Sequence, residues 1–291
     1  MPRTCGGHNL CMQEPALKKR RMIYDYPLYY DVLFGWDRDK EACFYASAFR
    51  HYGVGRAEGA IEIACGTGQV ALRLAQKGWK VAGLDLSRGM TAFLSRAAGE
   101  RGVAVETISA DMTRFAVRRR KGAAFCPMGS IGILHDDAAV LRHFEAVWQA
   151  LRPGGIYILD VHFERKRMPR RANPAERWTM QRGDIEVASR GGVIAVRDGR
   201  RSLELGWGVP LRRYSAAHFL GLVEKSRRFR VEAWHPEARK RGGGISTFDV
   251  RRIRAPGTGR GMIVLRRLPA NAAPSRAAAS HARRSISEKL R

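Results

Sequence analysis

Long apolar runs are missing from this chain of 291 residues. None approaches the roughly 18 to 20 residues that a membrane-spanning helix needs. The first residues carry no apolar stretch of the kind a secretion signal requires, so a cytoplasmic location is the expectation. Cysteine is scarce: thiols at positions 5, 11, 43, 65 and 126 form an odd, scattered set, which argues against a disulfide framework. Cys5, His8 and Cys11 make three potential ligands with no fourth nearby, so no metal site is expected. Acidic residues are few, 27 against 53 basic ones, for a formal net charge of +26. Large apolar residues are sparse at both ends. The leader, residues 1–22, carries Lys18-Lys19-Arg20-Arg21, and the tail, residues 269–291, is rich in Ala, Ser and Arg; neither composition repays the entropy of ordering. Both are expected to be disordered.

The basic excess is not spread evenly. Residues 1–57 hold nine basic and six acidic side chains, residues 58–162 hold 13 and 10, and residues 163–291 hold 31 and 11. An anionic partner would be drawn to the last third, with a weak, salt-sensitive nucleic-acid contact as one consequence. A GC-rich coding sequence, favouring Arg, Ala and Gly, would produce the same bias.

Against this background one stretch stands out. In Glu62-Ile63-Ala64-Cys65-Gly66-Thr67-Gly68 an apolar strand runs into a glycine turn with an acid four residues before the first glycine. Gly66 and Gly68 allow a tight turn and close approach of a ligand, and Gln69 to Lys77 reads as a helix whose N-terminus faces the same spot. That is the pattern of a nucleotide-cofactor site. Gly66 to Ala71 also fits the Gly-x-Gly-x-x-Ala turn of dinucleotide-binding folds, so the glycines alone do not choose between NAD and another adenosine-containing cofactor. Downstream, Val81 to Asp85 reads as a strand ending in an acid placed to accept ribose hydroxyls. Ile108 to Met112 reads as a third strand end, with Asp111 able to accept from an adenine amino group. Leu151-Arg152-Pro153-Gly154-Gly155 reads as a helix stop before the apolar run Ile156 to Asp160.

These four motifs, in this order, resemble the class I S-adenosylmethionine-dependent methyltransferases, well from about Tyr24 to Val161 and more loosely from Leu211 to Arg267. The resemblance implies S-adenosyl-L-methionine as cofactor, held by Glu62, Ala64, Gly66, Thr67, Gly68, Asp85, Leu86, Met90, Ala110, Asp111, Met112 and Cys126. It also implies an N-terminal segment that closes over the cofactor; for Tyr24, Tyr26, Tyr29 and Tyr30, core packing is an equal alternative. The chain departs from the family's pattern where the fourth strand opens with Lys121-Gly122 instead of an acid, which bears on local packing.

The expected fold is α/β, a Rossmann-like, doubly wound and mostly parallel seven-stranded sheet with an antiparallel β insertion after strand five. Strands are read at Ala60–Ala64, Lys80–Asp85, Ala104–Ser109, Ala123–Cys126 and Ile156–Val161, and later at Phe229–His235 and Gly261–Arg267. Helices are read over Asp39–His51, after Ser87, after Asp136 or Asp137, and from Tyr214-Ser215 to Lys225. The chain divides into the leader, a cofactor core at 23–162, the insertion at 163–210 on the substrate side, the end of the core sheet at 211–268, and the tail. Short β segments are read at Trp178–Val187, Gly192–Val196 and Ser202–Trp207.

Methyl transfer needs alignment more than acid–base chemistry, so catalytic residues are hard to read. His135 and His162, after strands four and five, are candidate general bases. Phe125-Cys126-Pro127-Met128 lacks the features of nucleic-acid methyltransferases, which favours a small-molecule acceptor. The alternatives are an RNA methyltransferase and a cofactor-binding interaction protein without turnover. Nothing in the sequence speaks to oligomeric state.

Overall fold

The computed structural model of this protein describes residues 21–164, 178–190, 192–208, 210–236 and 259–270. Most of the basic leader, most of the tail, and Cys5, His8 and Cys11 lie outside the described residues. So does part of the insertion, 165–177.

Two short helices open the described chain, α1 (Pro27–Leu33) and α2 (Asp39–His51). An alternation follows: β1 (Ala60–Ile63), α3 (Gln69–Gln76), β2 (Val81–Asp85), α4 (Arg88–Glu100), β3 (Val105–Ser109), β4 (Lys121–Cys126), α5 (Asp137–Ala150) and β5 (Leu151–Phe163). After β5 come four strands, β6 (Trp178–Arg182), β7 (Ile185–Arg190), β8 (Val193–Asp198) and β9 (Arg201–Gly206). Then α6 (Ala216–Ser226), β10 (Phe229–Pro236) and β11 (Gly259–Arg267) follow, the last elements among the described residues.

The main sheet has the order β10-β11-β5-β4-β1-β2-β3. Strands β1 to β5 pair in parallel, and β11 lies antiparallel between β5 and β10. Such a sheet must be covered on both faces, and side-chain alternation supplies both. Ile61, Ile63, Ala124, Tyr157 and Leu159 face α5 and α6, packing on Val140, Phe144 and Phe219. Ala60, Phe125, Ile156 and Ile158 face α2 and α3, packing on Tyr45, Phe49, Val70 and Leu74. Local capping agrees with the sequence reading: Ser87, Asp136 and Ser215 each accept a backbone N–H, from Met90, Ala139 and His218 respectively.

Two details differ from expectation. Leu151 already pairs with Lys121, so the strand starts there and not at Ile156; Gly154 (φ +69°) and Gly155 form a bulge inside it. A Cβ on Gly155 would lie 2.9 Å from the Gly122 carbonyl oxygen, which is why the bulge needs glycine. The insertion has four strands where three β segments were read, because Gly183 (φ +56°) turns the first segment into a hairpin. Its order is β6-β7-β8-β9, all antiparallel, and it packs Val187, Ile194, Val196 and Leu205 against Ile23, Val32 and Leu33 at α1. The unusual opening of β4 is accommodated: Lys121 Nζ pairs with Glu106 at 2.7 Å, and Gly122 makes room for Val54.

Candidate active site

The strand order reverses between β1 and β4, where an open α/β sheet receives ligands at the carboxyl ends of its strands. Past β1 the backbone turns through left-handed conformations at Ala64 (φ +54°), Gly66 (φ +54°) and Gly68 (φ +70°). Ala64 is not glycine, so the turn stores strain of about 1–2 kcal/mol there. The missing glycine side chains make room for other parts of the protein. A Cβ on Gly66 would lie 2.9 Å from the Tyr30 ring of α1, and one on Gly68 2.4 Å from Leu94 of α4.

Asp85 ends β2 beside this turn. Its Oδ2 accepts the Gly66 N–H at 2.8 Å and its Oδ1 the Ser87 N–H at 2.9 Å, so the carboxylate plane is fixed from the backbone. Burial raises its pKa against the pull of those N–H groups. Next to it Leu86 is 73 % exposed, a large apolar side chain left uncovered. At the end of β3, Ala110 N–H donates to the Asp85 carbonyl at 3.0 Å. Asp111 Oδ1 accepts from both the N–H and the hydroxyl of Thr113, at 2.7 and 2.8 Å, which holds its carboxyl below the usual range. Met112 and Met90 are buried beside these turns.

Glu62 is 2 % exposed and accepts the Ala71 N–H at 2.8 Å. Burial outweighs that bond and pushes its pKa up to about 8, so Glu62 is mostly protonated at neutral pH. It lines a cleft enclosing about 370 Å³, open mouth included, together with Ala64, Thr67, Gln69, Tyr30, Phe34, Arg38, Pro127 and Met128. Cys126 is fully buried beneath Pro127, and burial pushes its thiol up to about 12. His162 is partly exposed, with Nε2 3.9 Å from Asp160 and 3.1 Å from where a Gly129 Cβ would lie. Asp160 itself is fully buried and takes up Arg260 through both carboxylate oxygens. His135 is exposed beyond β4.

Several cleft residues were not read from the sequence. Arg38 is buried, with Nη1 2.5 Å from Glu41, Nη2 3.0 Å from the Met128 sulfur, and its guanidinium 4.2 Å from the Trp36 ring centre. Its Nε has no hydrogen-bond partner. An aromatic wall runs from the cleft to the insertion: Tyr30–Phe34 at 4.5 Å, Phe34–Trp36 at 5.4 Å, Phe34–Trp207 at 6.0 Å and Trp207–Trp178 at 5.1 Å between ring centres. Of the four tyrosines, Tyr30 packs over the glycine turn, and Tyr29 donates its hydroxyl to Asp198 of β8 at 2.8 Å.

Residues 60–155, which hold the glycine turn, Asp85, Asp111 and the bulge of β5, match the family described as a methyltransferase domain. They are a class I S-adenosylmethionine-dependent methyltransferase domain. A candidate methyltransferase of Geobacillus sp. (strain WCH70) is 29% identical over 119 residues, 41% of this chain and 48% of that protein. The chain spans about half or less of the length of the curated relatives it matches. Among solved structures, the sugar N-methyltransferase KedS8 from Streptoalloteichus sp. ATCC 53650 aligns with a TM-score of 0.62 at 21% identity, covering 92% of this chain and all of that one. SAM-bound CalS10, an amino pentose methyltransferase from Micromonospora echinaspora, aligns at 0.59 and 19%, covering 88% and 100%. These likenesses extend the shared fold past the methyltransferase domain into the insertion. Among the described residues no helix is long and apolar enough to cross a membrane.

The residues present fit S-adenosylmethionine. A shielded carboxylate with a fixed plane, Asp85, stands beside an uncovered apolar side chain, Leu86, as a ribose and its base require.

Proposed function

We propose that the chain transfers a methyl group from S-adenosylmethionine to a small-molecule acceptor, in line, at the mouth of this cleft. The observation that carries the reading is Asp85, its carboxylate oriented by Gly66 and Ser87 against exposed Leu86. In this role Asp85 accepts the ribose hydroxyls, Asp111 receives the adenine amino group, and Leu86 and Met112 flank the base. Ala64, Thr67 and Glu62 line the end of the cleft that takes the amino-acid part. When bound, the cofactor supplies a methyl group on a sulfonium, a leaving group that needs no further activation. The chain's own work is then to hold the acceptor in line and to keep water out. The aromatic wall suits that work, since it walls the cleft off with rings from α1 and the insertion. Where an amine or hydroxyl acceptor must lose a proton, His162 is better placed than exposed His135, because Gly129 beside it adjoins Met128 of the cleft.

KedS8 and CalS10 act on sugars, which supports small-molecule chemistry on this fold. The excess of basic residues after position 162 favours an anionic acceptor and keeps RNA as the second reading. Calorimetry with S-adenosylhomocysteine and with NAD tests the cofactor: the first is expected to bind, and binding of NAD alone would sink the proposal. Asp85→Ala should cost about 2–4 kcal/mol of S-adenosylhomocysteine affinity, the loss of two hydrogen bonds to a charged acceptor. Labelled S-adenosylmethionine with a panel of aminated and hydroxylated small molecules, and with RNA, then separates the acceptor classes.

A further inference from the structure

Below the turn after β3 lies a buried chain of hydrogen bonds through His143 and Tyr157, two side chains that none of the roles above uses. His143 of α5 is fully buried. Its Nδ1 is 2.8 Å from the Met112 carbonyl oxygen, and its Nε2 is 2.6 Å from the Tyr157 hydroxyl of β5. A carbonyl oxygen can only accept, so Nδ1 carries the proton. Nε2 therefore accepts, and the Tyr157 O–H donates to it. The two bonds run in one direction, from the Tyr157 O–H to His143 and from His143 Nδ1–H to the Met112 carbonyl.

The far end of that chain is the turn after β3. Above Met112, Asp111 closes on Thr113, and Asp111 bridges to Arg114. The turn is thus tied from within by the Asp111 side chain and from below by His143. The tie from below is costly to break, because the Met112 carbonyl and the imidazole are both buried. An exposed loop that needed only to connect β3 to β4 would not require an imidazole in the core beneath it.

We infer that His143, braced on its far side by the Tyr157 hydroxyl, is a positioning residue that sets the Asp111–Met112 turn to read the adenine amino group. The inference rests on the reading of the cleft as an S-adenosylmethionine site. His143 touches no ligand; it acts through the Met112 backbone. The prediction that separates this from a general packing role is selectivity. S-inosylhomocysteine presents a carbonyl where S-adenosylhomocysteine presents the amino group, so only the adenine ligand gains a hydrogen bond to Asp111.

The test is calorimetry of the full chain with both ligands. The wild type is expected to prefer S-adenosylhomocysteine by roughly tenfold to a hundredfold, the worth of one hydrogen bond to a carboxylate. His143→Leu should lose most of that preference while its affinity for S-inosylhomocysteine stays within about threefold. His143→Asn, whose amide N–H can replace Nδ1–H, should restore much of it. Tyr157→Phe keeps the ring packing and removes only the hydroxyl, so it serves if His143→Leu does not fold, and a partial loss of preference is expected. Equal weakening of both ligands, or an unchanged preference in the variants, would overturn the inference, as would a wild type that binds both ligands equally. A wild type that binds neither would instead overturn the cofactor reading itself.

Discussion

Arg38 is surrounded by groups that come from distant parts of the chain. Its guanidinium meets Glu41 one helical turn on, Trp36 two residues back, and the sulfur of Met128 from the loop after β4. Both charged side chains of the pair are only 8 % exposed, so each depends on the other for the solvation that burial removes. Arg38→Leu should therefore destabilise the protein by about 3–5 kcal/mol, because Glu41 is left as a buried unpaired charge. Arg38→Leu with Glu41→Leu should recover most of that loss, and urea unfolding of the two single variants and the double variant measures the coupling. Read in sequence, Asp37-Arg38-Asp39-Lys40-Glu41 looks like a solvated helix start, and nothing local marks Arg38 as buried. What buries it is Met128, ninety residues away, with the aromatic wall beside it. Gly66, Gly68 and Asp85 were legible for the opposite reason: the turn they make depends on backbone conformation and on near neighbours. The groups that fill the space above those glycines are again long-range: Tyr30 was marked only as closing over the cofactor or packing in the core, and nothing local ties Leu94 to Gly68.

At the level of elements the same division holds. Strands β1 to β5 and the capped helices could be read because burial on both faces and capping each leave a periodic or local mark. The split of β6 from β7 and the bulge in β5 turn on single glycines whose conformation the pattern does not show. Least legible was how α1, α3 and the insertion are joined. Asp31 of α1 is nearly buried; its Oδ1 accepts Gln69 Nε2 at 2.8 Å, and its Oδ2 accepts Arg182 Nη1 at 2.7 Å. Gln69 opens α3 and lines the cleft, and Arg182 ends β6; the Asp31 carbonyl also accepts from both, so this one residue ties the glycine turn to the antiparallel sheet. The two bonds of its carboxylate should separate by substitution. Arg182→Met removes a half-exposed partner and should leave S-adenosylhomocysteine affinity within about threefold, since Gln69 stays held. Asp31→Leu removes the side-chain bond to Gln69 as well, leaving only the one its Nε2 gives the residue 31 carbonyl, and should weaken that affinity by up to about tenfold, roughly one hydrogen bond. Calorimetry on the two variants decides this, and equal losses would show that the insertion and the cofactor turn behave as one unit. This coupling also bears on acceptor choice. If the insertion selects the acceptor, its grip on α1 brings that selection within two hydrogen bonds of the glycine turn.

Over the whole molecule, two buried titratable groups push stability in opposite directions with pH. Burial holds Glu62 protonated up to about pH 8, whereas an ordinary glutamate ionises near 4.5. Between those values the folded protein keeps a proton that the unfolded chain has lost, so the Glu62 contribution falls as pH rises and levels off above about 8. Burial holds His143 neutral down to about pH 4, against an ordinary 6.5. Between those values the unfolded chain holds the extra proton, so the His143 contribution rises with pH and is complete above about 6.5. The two oppose each other between 4.5 and 6.5, and from 6.5 to 8 Glu62 acts alone. In that upper window its slope should approach −1.4 kcal/mol per pH unit, about one proton's worth. The net charge of +26 adds self-repulsion that also varies with pH and salt, but Glu62→Gln leaves this background almost unchanged. The difference between wild type and Glu62→Gln, from urea unfolding at several pH values between 6.5 and 8, therefore isolates the carboxyl. The variant is expected to lose the downward slope and to gain stability over the wild type toward pH 8. A wild type with no such slope would mean that Glu62 ionises in place, with the Ala71 N–H and nearby Arg38 outweighing its burial.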